Sequence, residues 1–358
     1  MKMGAAITRF IKSRLPGSLV TAFIAFTLAG CGAGSAPPLG VSYTLPTVPT
    51  TGVTINAGNS QAVAQDTLSG SAGVMSAGPR GVSGIAVSGD SKEPVKLQLE
   101  KAVRIANKLL TDKYSSPSAA TGVSQTKFCN NVDATEGTVT LTVQGNDERL
   151  DFSNCGDPVD VVINGAMAAT NVSYTGTPGS PPFTLSVTYT FDLIFTYNSG
   201  AQTVAMMGRF DIDVNAAGSL TVTMSNGEMG ITSGGESVVL SNILETRSCS
   251  SYNASTFLCT GVMTASSNYT ISGTNCGGTV TVTTTTPFQI DLANGAKYPF
   301  TGVALISGVS SNLRITINDD DVAANGSSSP DIVVDIDTDG NTAVYEFTQN
   351  YEWSTVFI

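Results

Sequence analysis

Between Phe183 and Tyr197 the chain alternates almost without error. Phe183, Leu185, Val187, Tyr189, Phe191, Leu193, Phe195 and Tyr197 fall on one side. Thr184, Ser186, Thr188, Thr190, Asp192 and Thr196 fall on the other, with Ile194 the one apolar residue among them. A period of two is the signature of a strand with a buried and a wetted face. At about 3.3 Å per residue the stretch spans roughly 50 Å, far beyond the usual strand of about five or six residues.

Shorter alternations recur at Gly137–Gln144, Arg209–Val214, Ser219–Met224, Thr279–Thr284 and Leu313–Asn318. Asn198-Ser-Gly200, Ala217-Gly218, Asn226-Gly227 and Asp339-Gly340 supply turn chemistry between or beside them. Long two-faced strands joined by short turns predict a mainly β fold over 115–358. The expected form is an antiparallel meander, as a curved sheet, a partial barrel or a sandwich.

The stretch before it reads differently. Residues 31–90 are rich in Gly, Ser, Ala, Pro and Thr, with Pro37, Pro38, Pro46 and Pro49 in the first part. Such a composition buries too little apolar surface to fold alone, and predicts a tether. Residues 91–114 read as one helix. Ser91 suits the N-cap and Pro94 the first turn. Val95, Leu99, Ala102, Val103, Ala106 and Leu110 form an apolar stripe, and Lys96, Lys101, Arg104, Lys108 and Lys113 a basic face. The stripe is expected to pack on the acidic β region.

At the start, Lys2, Arg9, Lys12 and Arg14 precede an apolar run over 18–28, too short for a bilayer-spanning helix of about 20 residues. Leu28-Ala29-Gly30-Cys31 follows at once. The combination resembles the signal peptide and lipobox of bacterial lipoproteins. The resemblance implies that residues 1–30 are removed and that Cys31 carries a thioether-linked diacylglycerol as the membrane anchor. By the same resemblance, Gly32 rather than Asp after the cysteine implies the outer membrane.

Charge and residue usage exclude several chemistries. Of 17 Lys and Arg, four precede Cys31, which leaves 13 against 28 Asp and Glu, a net charge of −15. A surface this acidic is unsuited to nucleic acid and to electrostatic attachment to anionic lipid. The chain has no histidine. Ser-His-Asp and Cys-His catalysis, His-bearing zinc sites and His-ligated haem are therefore excluded. A hydrolase built on two carboxylates about 5–10 Å apart needs none.

Five cysteines follow Cys31. In an exported protein they read as disulfides. Cys129 and Cys155 flank one predicted hairpin, and Cys249 and Cys259 flank a polar loop, which leaves Cys276 over.

One stretch matches a metal-loop pattern. Asp335-Ile-Asp337-Thr-Asp339-Gly340, followed by Glu346, fits the spacing of a calcium loop. The flanks read as strands rather than helices, and the competing reading is a hairpin turning on Asp339-Gly340. That hairpin pairs Thr338 with Asn341, Ile336 with Ala343, Val334 with Tyr345 and Ile332 with Phe347, and carries Glu346 about 13 Å from Asp337. A calcium site is then left to Asp335, Asp337 and Asp339, with Asp319, Asp320 or Asp321 in reserve. Asp147-Glu148 and the pair Asp211 and Asp213 read as solvated. No residue is assigned a catalytic role. The functional expectation is a lipid-anchored envelope protein whose β domain scaffolds, adheres or binds a partner. Its alternatives are a carrier of lipid or a small apolar ligand within a curled sheet, and the carboxylate hydrolase.

Overall fold

The computed structural model describes residues 39–64, 67, 124–129, 136–145, 147–157, 161–177, 180–197, 200–253, 258–274, 276–291, 299–318, 332–340 and 344–351. The predicted signal peptide, Cys31, the helix at 91–114 and Asp319–Asp321 lie outside them.

Alternation becomes strand wherever it was read, and the strands are longer than the alternation alone suggests. The first four are β1 (Ser124–Phe128), β2 (Glu136–Gln144), β3 (Asp147–Asp157) and β4 (Val161–Thr177). The clearest stretch extends to 18 residues as β5 (Ser180–Tyr197). β6 (Gly200–Val214), β7 (Leu220–Ser233) and β8 (Glu236–Cys249) continue from it. A small hairpin, β9 (Tyr252–Asn253) with β10 (Leu258–Cys259), stands apart as its own sheet. The main sheet resumes with β11 (Val262–Gly273), β12 (Gly278–Asp291), β13 (Thr301–Gly308), β14 (Ser311–Asn318), β15 (Ile332–Asp337) and β16 (Phe347–Tyr351).

These strands form one 14-stranded sheet in chain order, interrupted only where β8 pairs directly with β11. Every pairing in it is antiparallel. Among the described residues β1 and β16 are its two edges, so the meander is open rather than closed into a barrel.

The apolar side of every long strand enters a single core, from Val139 and Leu141 on β2 to Val334 and Ile336 on β15. Tyr189, Phe191, Phe195 and Phe210 are its largest fully buried side chains. The Tyr189 and Phe210 rings meet edge to face with centroids 5.3 Å apart, the geometry that aromatic quadrupoles favour. Ile194, the break in the alternation, is 41% exposed on the opposite face. Cys129 is bonded to Cys155, and Cys249 to Cys259. Cys276 is buried and outside both bridges.

Asn226-Gly227 is not a turn. Asn226 has φ +50° inside β7, and the register with β8 slips on both sides of Gly227. A left-handed residue within a strand produces a bulge there. The turn that joins β7 to β8 is Gly234-Gly235, with φ +61° and +89°, between paired Ser233 and Glu236. Two consecutive positive φ angles match the twist of a hairpin, which explains the double glycine.

The tether reading fails for residues 39–64. Val41 is buried against Ala166 and Ala168 on the wetted face of the sheet. Gly40 accepts a hydrogen bond from Arg149 through its carbonyl, and Tyr43 donates to Glu228. Further on, Val53 and Thr51 exchange backbone hydrogen bonds with Thr279, and the Ile55 amide donates to Ser311 Oγ at 2.7 Å. Ile55 and Val63 then join the main core, Val63 from a helical turn at 60–64. The segment is a strap: one part lies on the outer face and the next part enters the interior. Its few apolar residues are too sparse for a core of their own, but they suffice on one that already exists.

Candidate functional site

Three places concentrate polar chemistry: the loop between β15 and β16, the buried charges on the apolar face, and the outer face of the sheet.

The β15–β16 pairing differs from the expected hairpin. Ile336 pairs with Phe347, Val334 with Gln349 and Ile332 with Tyr351. The register is displaced by four residues, and the described residues 338–340 and 344–346 lie outside both strands. The displacement carries Glu346 back to the start of the loop. Its amide donates to the Ile336 carbonyl at 3.0 Å, and its Oε2 accepts from the Thr338 amide at 2.8 Å. Asp337, Asp339 and Glu346 thereby bring carboxylate oxygens within 4.8 Å of one another. The calculated separation of Glu346 from Asp337 was wrong because it rested on the two-residue turn.

Asp335 does not join this group. Its Oδ2 accepts from Arg314 Nη2 at 2.6 Å and Nε at 3.1 Å, and its Oδ1 from the Thr348 hydroxyl at 2.8 Å. Arg314 also lies 4.3 Å from the centre of the Tyr345 ring. Asp337 is fully buried beneath the loop. Its Oδ1 accepts from the Asp339 and Gly340 amides, and its Oδ2 from Asn312 Nδ2 at 3.0 Å. Burial pushes its pKa up, but the bonds from Asn312, Asp339 and Gly340 outweigh that and hold it below the ordinary 3.8. Both Asp337 oxygens are engaged, so hydrogen bonds alone account for the closed loop. A carboxylate held ionised in this way is unsuited to the proton-donating role in a hydrolytic pair.

The second place was missed by sequence reasoning. Glu245 and Arg247 sit two apart on β8 and both face the apolar side, where Met224 and Val222 are their partners on β7. Both are buried, and Arg247 Nε lies 2.6 Å from Glu245 Oε1. Glu148, read as solvated, is also buried on that side, because its alternation with Leu150 and Phe152 turns it inward. Burial first, and then the charge of Glu148, push the Tyr189 hydroxyl pKa far upward. Strand parity was the available signal: each of these charges shares the parity of its apolar neighbours.

The third place is the outer face. One polar row runs Thr175, Thr184, Asp213, Thr221, Ser248, Thr264, Gln289, Thr301, Asn318, each paired with the next across β4 to β14. A second runs Ser173, Ser186, Asp211, Thr223, Thr246, Ser266. Hydroxyls on adjacent strands bond directly, as Thr175 with Thr184 at 2.6 Å and Ser272 with Thr279 at 2.7 Å. Asp211 is held by Arg209 and by a short hydrogen bond from Ser186. Burial raises its pKa, and the bonds from Arg209 and Ser186 lower it further than burial raises it.

No protein family matches this chain, and comparison with curated proteins and with solved structures also gives no match.

Proposed function

We propose that the chain is an envelope lipoprotein, acylated at Cys31, whose β domain is a non-enzymatic binding scaffold. The outer face carries the reading: two rows of polar side chains cross it strand by strand, and the apolar residues of the opposite face are buried together. Tyr189, Phe191, Phe195, Phe210, Leu150, Ile163, Met167 and Leu193 are fully buried there. A lipid carrier needs an unfilled apolar lumen, so this packing favours the scaffold over the carrier. The absence of histidine and the ionised, fully hydrogen-bonded Asp337 disfavour the hydrolase.

The strap adds a geometric consequence. Leu39, the first described residue of the strap, lies only eight positions after Cys31. Eight extended residues reach at most about 28 Å. An acylated Cys31 therefore keeps the domain close to the bilayer, with the Arg149–Val41 region of the outer face nearest to it. Gly32 favours the outer membrane as that bilayer.

The test is membrane fractionation with intact mass of the full chain expressed in a double-membraned bacterium. A membrane-bound species beginning at Cys31 and heavier by a diacylglycerol is expected, with Cys31→Ser released to the soluble periplasmic fraction. A chain that keeps residues 1–30, or a Cys31→Ser chain that stays on the membrane, overturns the anchor. Co-purification of one lipid per domain with the Cys31→Ser protein overturns the scaffold in favour of the carrier.

A further inference from the structure

We infer that the two open edges of the sheet pair with each other between copies, β1 of one chain against β16 of the next. The sheet has an even number of strands, all antiparallel to their neighbours, so β1 and β16 run in opposite directions. A β16 laid beside β1 of another copy continues the antiparallel order without inverting either molecule.

Hydrogen-bond direction agrees. The Cys129 amide donates to the Gly137 carbonyl on the β2 side. Backbone groups alternate in direction along a strand, so those of Ser124, Thr126 and Phe128 point away from β2 to the free edge. The short Thr126–Thr140 hydroxyl contact, 2.8 Å, marks the same alternation, since side chains approach most closely at non-hydrogen-bonded pairs. On β16 the Thr348 hydroxyl contact with Asp335 marks Thr348 likewise. Thr348 and Asn350 therefore direct their backbone groups to the other free edge.

The facing agrees as well. Thr126 and Phe128 share the outer face with Thr140 and Thr138, and Thr348 shares it with Asp335. Pairing Phe128 with Thr348 and Thr126 with Asn350 joins outer to outer, and keeps both apolar faces on one side. A sheet edge presents unpaired backbone groups and is a ready template for another strand. Here it is also exposed: Phe128 is 72% and Phe347 47% accessible, and Thr126, Thr348 and Asn350 are exposed.

Charge selects the heterologous pairing. Lys127 is the one charged residue of β1, whereas β16 is uncharged and flanked in sequence by Glu346 and Glu352. A pairing of two different edges does not close on itself, so the product is a row of copies rather than a dimer. The inference is independent of acylation at Cys31.

The experiment cross-links the full chain, on membranes and as the soluble Cys31→Ser protein, with cysteines introduced as Thr126→Cys and Asn350→Cys and a short bismaleimide. The double variant is expected to give a ladder of dimer, trimer and higher species, and neither single variant a cross-linked dimer. Thr126→Pro removes an amide that points away from β2, so the fold stays while the edge is blocked. In a variant pairing Asn350→Cys with a second cysteine at Ser124, Thr126→Pro is expected to abolish the ladder with the circular dichroism spectrum unchanged. A link confined within one chain, a dimer from the Thr126→Cys single variant, a ladder that survives Thr126→Pro, or no cross-link at all overturns the inference.

Discussion

Glu346 Oε2 accepts the Thr338 amide at 2.8 Å, and so pins the end of the β15–β16 loop to its beginning. Beneath this closure lies Asp337, fully buried and bonded by Asn312, Asp339 and Gly340. Asp337→Ala removes the acceptor for three donors, and two of them are backbone amides. The expected cost is about 2–4 kcal/mol in urea unfolding, from buried donors left without partners. The pH dependence has a definite sign. The folded pKa lies below the unfolded value of 3.8, so the contribution is complete above that value. It is lost as pH falls through the folded pKa. Asp337→Ala is therefore expected to flatten the acid limb of the stability curve; an unchanged acid limb would show that the buried carboxylate does not set it.

The buried pair on β8 makes a separate prediction. Arg247→Met leaves the Glu245 carboxylate in an apolar setting without its guanidinium, at an expected cost of about 3–5 kcal/mol. Replacing Glu245 with Met as well removes the stranded charge and is expected to restore most of that loss. A double-mutant cycle in denaturant reads both. If the double variant is as unstable as Arg247→Met, the pair is not the source of the penalty.

How much of this was legible can be traced residue by residue. Strand existence followed from local periodicity, and Phe183–Tyr197 lies wholly inside β5 because every second side chain there has one destination. The flanking positions of Cys129 and Cys155 about a hairpin, and of Cys249 and Cys259 about a loop, made them candidate partners without fixing the pairing, and both bridges form. Register was harder. Asp339-Gly340 has good turn chemistry, and Gly340 does have φ +83°. Pairing is nevertheless set by Ile332, Val334 and Ile336 meeting Tyr351, Gln349 and Phe347, and a shift of four keeps every side chain on its own face. Alternation alone cannot distinguish registers that differ by an even number. The strap was hidden for another reason. Val41 stands alone and Val53 and Ile55 make too short an alternation to read as a strand, and their contacts with Ala166, Thr279 and Ser311 lie more than a hundred positions away.

Tyr43 gives the strap a pH signature. Burial first, then the hydrogen bond to Glu228 and its charge, push the Tyr43 pKa from 10.0 up to about 12. A raised folded pKa contributes stability that is complete below the unfolded value and lost as pH rises through the folded one. The outer part of the strap is expected to loosen between pH 10 and about 12. Subtracting the tyrosinate absorbance of Tyr43→Phe isolates this one titration from the other tyrosines. Glu228→Gln is expected to move its midpoint down towards 10.0; a midpoint already there in the unaltered chain would mean that Tyr43 is not held by Glu228.

The strap crosses the sheet at a glycine, which allows it to be displaced without touching the core. A Cβ added to Gly230 would stand 2.3 Å from Pro46 Cδ and 3.1 Å from Leu45 Cδ2. No real contact is that close, so either the strap or β7 must move. β7 is paired on both sides, with β6 and β8, whereas the strap at Pro46 has no ladder of its own. Gly230→Val is therefore expected to lift residues 43–47 and to cost about 1–3 kcal/mol. The strand content should be unchanged by circular dichroism, and a new protease cut should appear between Val41 and Val53. Tyr43, released from burial as well as from Glu228, should then titrate near its ordinary 10.0. Resistance to protease equal to the unaltered chain would place the strain in β7 instead, and strand content would fall.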